Sequence, residues 1–238
     1  VKPGDPAAVR SLFESVAPRY DQLNDLLSLG LHRLWKRQAL LWLQPRPGQN
    51  LVDLCCGTGD LALLMAARVR LGGEVLGLDA AAAPLALARR RAAAQPWLPL
   101  RWHQGDALAT GLPEACMDGA AMAYGLRNLA DPGDGLCELR RLLRPDGRAA
   151  VLDFRRPDPQ AGLTDAVVER FQRLMLSRVV VPTARLAGLE AQYAYLQASL
   201  DRFPTQEALC GLARQAGFRQ VQHRALAGGL MGLLELVA

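Results

Sequence analysis

The sequence has little of what metal and redox sites are built from. Its five cysteines, Cys55, Cys56, Cys116, Cys137 and Cys210, include no C-x-x-C pair, and with only three histidines they form no cluster at zinc spacing. No metal is therefore expected. Neighbours such as Cys55 and Cys56 rarely bond to each other, because a disulfide needs separated, facing Cβ atoms. Free cysteine packs as a small hydrophobe. A reducing cytosol is the simplest compartment for such a chain. Long apolar runs are missing too. No stretch of about 18 apolar residues is free of charge, which excludes a transmembrane helix. The chain begins at Val1, and "VKPGDPAAVR" does not resemble a signal peptide. No basic stripe is interleaved with aromatics, so nucleic acid is not an expected partner.

The 238 residues are half apolar, enough for a sizeable core. The net charge of +5, mostly from arginine, suits an anionic ligand or an anionic membrane surface. Arg89-Arg90-Arg91 and Arg140-Arg141 fall at helical spacing and read first as solvated helix faces. Residues 7–45 read as helices broken at Gly30, with Leu31, Leu34, Trp35 and Trp42 on one face and Arg33, Lys36 and Arg37 off it. After the turn "PRPG" the pattern alternates. Strands are expected at 50–55, 74–79, 100–104, 117–123 and 147–154, with helices at 60–70, 83–94 and 134–143. That order implies an α/β fold with a parallel sheet covered on both faces. A long helical stretch, 162–199, is broken near Pro182. A further helix, 205–216, has Thr205 as N-cap. "FRQVQHRAL" and "LMGLLELVA", joined by Gly228-Gly229, read as a closing antiparallel hairpin. No linker divides the chain, so residues 1–238 read as one domain with a helical cap over about 1–45 and a helical insertion over about 160–200.

"LVDLCCGTGD" (51–60) carries the first chemical signal. Asp53 closes a strand, and Gly57 and Gly59 let the backbone turn tightly into a helix and approach a ligand. Free N–H groups at that helix start favour a carboxylate or phosphate. Asp79 ends the second strand, where a ribose hydroxyl is held in dinucleotide folds, and Asp106 follows the third. One glycine loop is shared with nicotinamide dehydrogenases. Three acids at three successive strand ends are more specific, although Asp106 taken singly reads equally as a solvated turn.

This pattern resembles the class I S-adenosylmethionine-dependent methyltransferases, whose first motif "DLCCGTG" fits. The resemblance implies a Rossmann-like, mostly parallel seven-stranded sheet with an antiparallel last strand and added helices. It implies S-adenosylmethionine as cofactor, held by Asp53, Cys55, Gly57, Thr58 and Gly59 in the loop, by Asp79 at the ribose, and by Asp106 and Ala107 at the adenine. Cys55 and Ala123 stand where relatives more often have Gly or Ala and serine. "YDQLNDLLSLGLHRLWKR" (20–37), "YGLRNLAD" (124–131) and "LRPDGRAAVLDF" (143–154) further resemble the family that C-methylates prenylated quinol rings in ubiquinone, menaquinone and phylloquinone synthesis. "YAYLQASLDRFPTQEAL" and "AGGLMG" look most like its cyanobacterial branch, which acts on a phytyl-naphthoquinone. A dehydrogenase, or a methyltransferase-like subunit without activity, is the competing reading.

A quinol ring carbon is a poor nucleophile until its hydroxyl ionises. With a pKa of about 10, like tyrosine, ionisation at pH 7 costs roughly 4 kcal/mol. By resemblance, Arg127 and Asn128 meet the acceptor just past strand four, with Tyr20 a third donor from the covering N-terminal segment. Guanidinium stays charged, so Arg127 stabilises a phenolate or polarises a water rather than taking the proton. Each has a plainer alternative: Arg127 paired with Asp131, Asn128 a turn residue, Tyr20 packed. His32 and His103 read as structural. Helix 31–43 and "VVERFQRLMLSRVVVP" (167–182) either shape a groove for the isoprenoid tail and rest on lipid headgroups, or simply pack on the sheet. The partners implied are a prenylated quinol and, weakly and peripherally, a membrane surface reached from the cytoplasm. A homodimer stays open.

Overall fold

The computed structural model describes residues 3–17, 28, 30–175, 177–178 and 190–238, with the backbone alone at 190–193. Helix α1 (Pro6–Val16) starts on Asp5, whose carboxylate accepts the N–H groups of Ala7 and Ala8, with Pro6 in the first turn. Helix α2 (His32–Leu43) precedes strand β1 (Asn50–Leu54). Then follow α3 (Asp60–Val69), β2 (Glu74–Asp79), α4 (Ala82–Ala93), β3 (Leu100–Gln104), β4 (Met117–Ala123), α5 (Pro132–Leu142) and β5 (Leu143–Phe154). The chain continues through α6 (Leu163–Met175), α7 (Glu190–Arg202) and α8 (Gln206–Gln215), and closes with β6 (Gln220–Leu226) and β7 (Met231–Val237).

The seven strands form one sheet in the order β3-β2-β1-β4-β5-β7-β6. All pairings are parallel except those of β7, which runs antiparallel to both β5 and β6. The expected closing hairpin is present, turning through Ala227–Gly229. Side chains alternate between two cores, as strands covered on both faces require. Val52, Leu54, Ala120, Met122, Ala149 and Val151 pack on one side, against α5 and α8. Leu51, Ala121, Ala150 and Leu152 pack on the other, against α2 and α3.

Two local expectations are corrected. Strand β5 begins at Leu143 rather than 147, because Leu143 already pairs with Met117 before a register break. The buried face of α2 is His32, Lys36, Ala39, Leu40 and Leu43, while Leu31 and Leu34 are about half exposed (46% and 50%). The helix is turned because Lys36 reaches Asp60 of α3, Nζ to Oδ2 at 2.7 Å, and His32 Nδ1 meets Ser28 Oγ at 2.8 Å. A hydrophobicity pattern assigns lysine to solvent; this one is drawn in by the half-buried carboxylate of Asp60. The expected break near Pro182 lies outside the described residues.

Helix α5 leaves the functional end of the sheet on a side-chain cap. Asp131 Oδ1 accepts from Gly133 N at 2.6 Å and Asp134 N at 3.1 Å, with Pro132 next in line. Asp131→Ala is expected to cost about 1 kcal/mol. In a domain of this size that lowers the thermal midpoint by roughly 2–4 °C, measured by calorimetry.

Candidate active site

Strand β1 lies between β2 and β4, and the chain order reverses across it. In open α/β sheets such a switch point leaves a crevice beyond the strands' carboxyl ends, and ligands bind there. A cavity of about 560 Å³ occupies it, bordered by Cys55, Gly57, Asp79, Asp106, Ala123 and Asn128. Its volume suits a nucleoside-sized molecule and part of a second one. Helix α1 closes one side with Val9, Arg10 and Phe13. Glu14 fastens α1 down, its two carboxylate oxygens accepting the N–H groups of Ala82 (2.6 Å) and Ala83 (2.9 Å) at the start of α4.

The loops that form the cavity are under backbone strain. Cys55 after β1 and Tyr124 after β4 both take left-handed conformations, with φ of 55° and 62°. Cys55 packs so tightly on Gly125 that a Cβ there would stand 2.6 Å from its own. Gly59, with φ of 84°, caps α3 without a side-chain bond, and a Cβ on it would meet the Trp102 ring at 2.5 Å. Asp79 holds the glycine loop directly, its Oδ2 accepting Gly57 N–H at 2.8 Å and its Oδ1 accepting Ala81 N–H at 2.9 Å. Asp106 is exposed and accepts Leu108 N–H at 2.9 Å, while Ala107 beside it is buried. Thr58 lies under the loop, its hydroxyl and carbonyl both accepting from Arg91 at 3.1 Å. Burial pushes the Cys55 and Cys56 thiols up, so neither is a nucleophile at neutral pH.

A second, smaller cavity of about 20 Å³ lies behind the glycine loop, bordered by Lys36, Asp53, Thr58, Asp60 and Tyr124. It has room for one water-sized group. Cys55, Gly57 and Ala123 border both cavities. Asp53 is 1% exposed, and neither of its oxygens has a hydrogen-bond partner among the described residues. Burial raises its pKa to about 7, against the opposing pull of Lys36. A carboxylate kept this dry is stable only if protonated or facing a cation. The site therefore fits S-adenosylmethionine: two carboxylates, Asp79 and Asp53, for hydroxyls and an ammonium, and a cavity of the right size.

On the far side of Ala123 the chain makes a single helical turn, Leu126–Asn128, in which Arg127 and Asn128 are both buried. Asn128 borders the large cavity, and Arg127 borders neither. Arg127 Nη1 donates to Asp153 Oδ1 at 2.6 Å and to the Tyr124 carbonyl at 2.9 Å, and its guanidinium lies 5.1 Å from the Phe154 ring. Its ion-pair partner is thus Asp153, since Asp131 serves as the cap of α5. Asn128 Nδ2 donates to the same Tyr124 carbonyl at 2.8 Å, and its Oδ1 accepts the Tyr195 hydroxyl at 2.7 Å. Arg202 ties the turn from outside through the carbonyls of Arg127, Leu129 and Ala130. Tyr20 lies outside the described residues. Sequence reasoning missed Lys36, Asp153, Tyr195 and Glu14 as members of this site. Only Tyr195 carried a signal, through "YAYLQASLDRF".

Asp53 is protonated below about pH 7 in the free protein, so holding an ammonium there would require it to ionise and release a proton. Affinity for S-adenosylmethionine should fall by about tenfold per pH unit below 7 and level off above it. Calorimetry in buffers of different ionisation enthalpy measures this. Asp53→Asn should flatten the dependence; an unchanged profile in that variant would remove Asp53 from the site.

Comparison with known proteins agrees with this geometry. The model of the ubiE/COQ5 methyltransferase family matches residues 3–234. A 2-phytyl-1,4-naphtoquinone methyltransferase of Thermosynechococcus vestitus is 50% identical, over 94% of this chain and 96% of that one. The protein of the same name from Trichormus variabilis is 44% identical, over 95% and 96%. A chloroplastic 2-phytyl-1,4-beta-naphthoquinone methyltransferase of Arabidopsis thaliana is 39% identical, over 94% and 85%. Among solved structures, SAM-dependent methyltransferases from Aquifex aeolicus (TM-score 0.62, 14% identity, 98% of both chains) and Thermotoga maritima (0.64, 19%, 95% and 98%) share the fold. The glycine loop, the three strand-end acids and a family match spanning almost every residue lead to one conclusion: the chain is an S-adenosylmethionine-dependent methyltransferase and belongs to the ubiE/COQ5 methyltransferase family.

Proposed function

We propose that the protein moves a methyl group from S-adenosylmethionine to a ring carbon of a prenylated quinol, with 2-phytyl-1,4-naphthoquinol as the acceptor. The observation that carries this reading is the run of relatives named for that acceptor, 39–50% identical over 94–95% of the chain. Demethylmenaquinone and a ubiquinone precursor are the alternatives. Assay of methyl transfer to the three reduced quinones side by side decides among them, and faster transfer to either alternative overturns the phytyl assignment.

When bound, S-adenosylmethionine supplies a methyl carried on positively charged sulfur. In this reading Asp79 holds the ribose, Asp106 and Ala107 border the adenine, and Asp53 with the glycine loop holds the amino-acid end. Ala123 offers no hydroxyl at the junction of the two cavities, so backbone alone serves that point. The quinol enters on the Asn128 side. Ionising it costs roughly 4 kcal/mol at pH 7. Asn128 donates an N–H to the developing phenolate or orients the water that takes the proton. Arg127 acts from behind, fixing the Tyr124 carbonyl and the turn, and adding a positive field that Asp153 partly balances. Tyr20 keeps its place as a third donor. Preorganised donors of this kind contribute about 10²–10³ each in rate.

A pair of variants separates this role from a packing one. Arg127→Leu leaves Asp153 buried without its cation, and breaking a buried pair costs about 3–5 kcal/mol. The single variant should lose both stability and turnover. In Arg127→Leu/Asp153→Asn, thermal unfolding should return towards wild type. Single-turnover methyl transfer should stay about 10²–10³ down, with cofactor affinity near wild type. Wild-type rates in the double variant would take Arg127 out of the reaction.

A prenyl tail lies in a bilayer, and the reading places the enzyme on a membrane surface reached from the cytoplasm. Among the described residues no helix is long and apolar enough to cross a membrane. Helix α6 exposes Leu163, Val167, Phe171 and Leu174, which recur at helical spacing beside Arg170 and Arg173. Binding to anionic liposomes should be weak and should weaken further with added salt. Sedimentation that ignores salt would count against it. Sedimentation velocity without lipid settles whether the enzyme is a homodimer.

A further inference from the structure

Lys36 is not part of the glycine loop, the strand-end acids or the acceptor turn. It is nevertheless the side chain by which helix α2 reaches the smaller cavity. It is 7% exposed, borders the small cavity together with Asp53, and has its Nζ 5.9 Å from the centre of the Tyr124 ring. In the structure its Nζ lies 2.7 Å from Asp60 Oδ2. Asp60 has a second cation, Arg91, whose Nη2 is 2.5 Å from Oδ1. Burial alone would push Asp60 up, but the two cations hold it down at about 2.

Three charged groups therefore border the space behind the loop, Lys36, Asp53 and Asp60, and Arg91 holds Asp60 from outside it. Arg91 is turned towards Asp60 and Thr58 and does not border the cavity. Lys36 borders the same space as the Asp53 carboxylate, which has no hydrogen-bond partner among the described residues. An amino-acid end brings one charge of each sign. Its ammonium satisfies Asp53, its carboxylate takes Lys36, and Asp60 remains with Arg91, so no buried charge is left alone.

We infer that Lys36 is the counter-charge for the carboxylate of the cofactor's amino-acid end, with Asp53 holding the ammonium beside it. The cap helix α2 is then a specificity element. It makes the site read the zwitterionic end rather than the nucleoside alone. The inference rests on S-adenosylmethionine as cofactor, and the test keeps the two apart.

The test is calorimetry on the full chain with three ligands: S-adenosylhomocysteine, its decarboxylated analogue, which keeps the ammonium, and 5′-methylthioadenosine, which lacks both groups. The wild type should bind them in that order, with at least about a tenfold preference for the first over the second. Lys36→Met should collapse that preference to within about twofold while leaving methylthioadenosine affinity unchanged. Lys36→Arg should keep most of it. Asp53→Asn should instead collapse the gap between the second and third ligands. Equal affinity of the wild type for the first two ligands overturns the assignment without any variant. So does a Lys36→Met variant that loses all three ligands alike, since α2 would then be a packing element. Failure of the wild type to bind any of the three overturns the cofactor reading itself, and this one with it.

Discussion

Parallel pairing of β1 with β2 on one side and β4 on the other is the constraint on which the site depends. Asp53 sits opposite Gly77 and Ala121 in that register, so three strands end together. The loops that leave them cannot diverge without opening the crevice, nor approach without meeting one another. The sheet resolves this with left-handed turns at Cys55 and Tyr124 and with Gly125 pressed against Cys55. Gly77, with no Cβ, leaves space for the Trp102 ring, which in turn bounds Gly59. The glycine loop thus has its shape imposed by neighbours on two strands.

The second organising feature is charge placed where water is absent. Asp53, Lys36, Glu138, Asp153 and Arg127 are all under a tenth exposed. Most are matched. Glu138 is held by Arg141 and Thr110, and Asp153 by Arg127 and the turn's own N–H. Such pairs contribute little net stability, because desolvation opposes their attraction. What they contribute is position. The Arg127–Asp153 pair fixes the Leu126–Asn128 turn to the end of β5, and Arg202 repeats the fixing from α7 through backbone carbonyls. Asp53 is the exception, a carboxylate kept dry with no hydrogen-bond partner among the described residues. An unmatched group at the carboxyl end of a central strand is most economically read as a ligand contact.

The sheet and the helices between its strands could be read from periodicity, because most strands are short apolar runs set off by glycine, proline or acid; the early start of β5 was not. The three strand-end acids at the crevice were visible for the same reason: their places at strand ends are fixed by the chain itself. What the pattern hid is pairing at long range. Lys36 looked like a solvent residue, because no local rule reports Asp60, which lies 24 residues away. Asp153 read as the end of a strand, and nothing near it in sequence says that Arg127 sits against it. Tyr195 and Asn128 are 67 residues apart and meet only because α7 folds back over the turn. Local chemistry announces a binding loop; the residues that hold it steady come from elsewhere in the chain and leave no local trace.

Helix α4 begins at Ala82 behind Ala81, whose methyl group has no acceptor to cap it. Its first two amides are satisfied by Glu14 of α1, 68 residues before Ala82 in the chain. The start of α4 is therefore complete only while α1 lies over the cavity. Loss of the α1 contact would strip two amides of their acceptor. Protection of the Ala82 and Ala83 amide hydrogens from exchange would then report how firmly α1 is seated over the cavity.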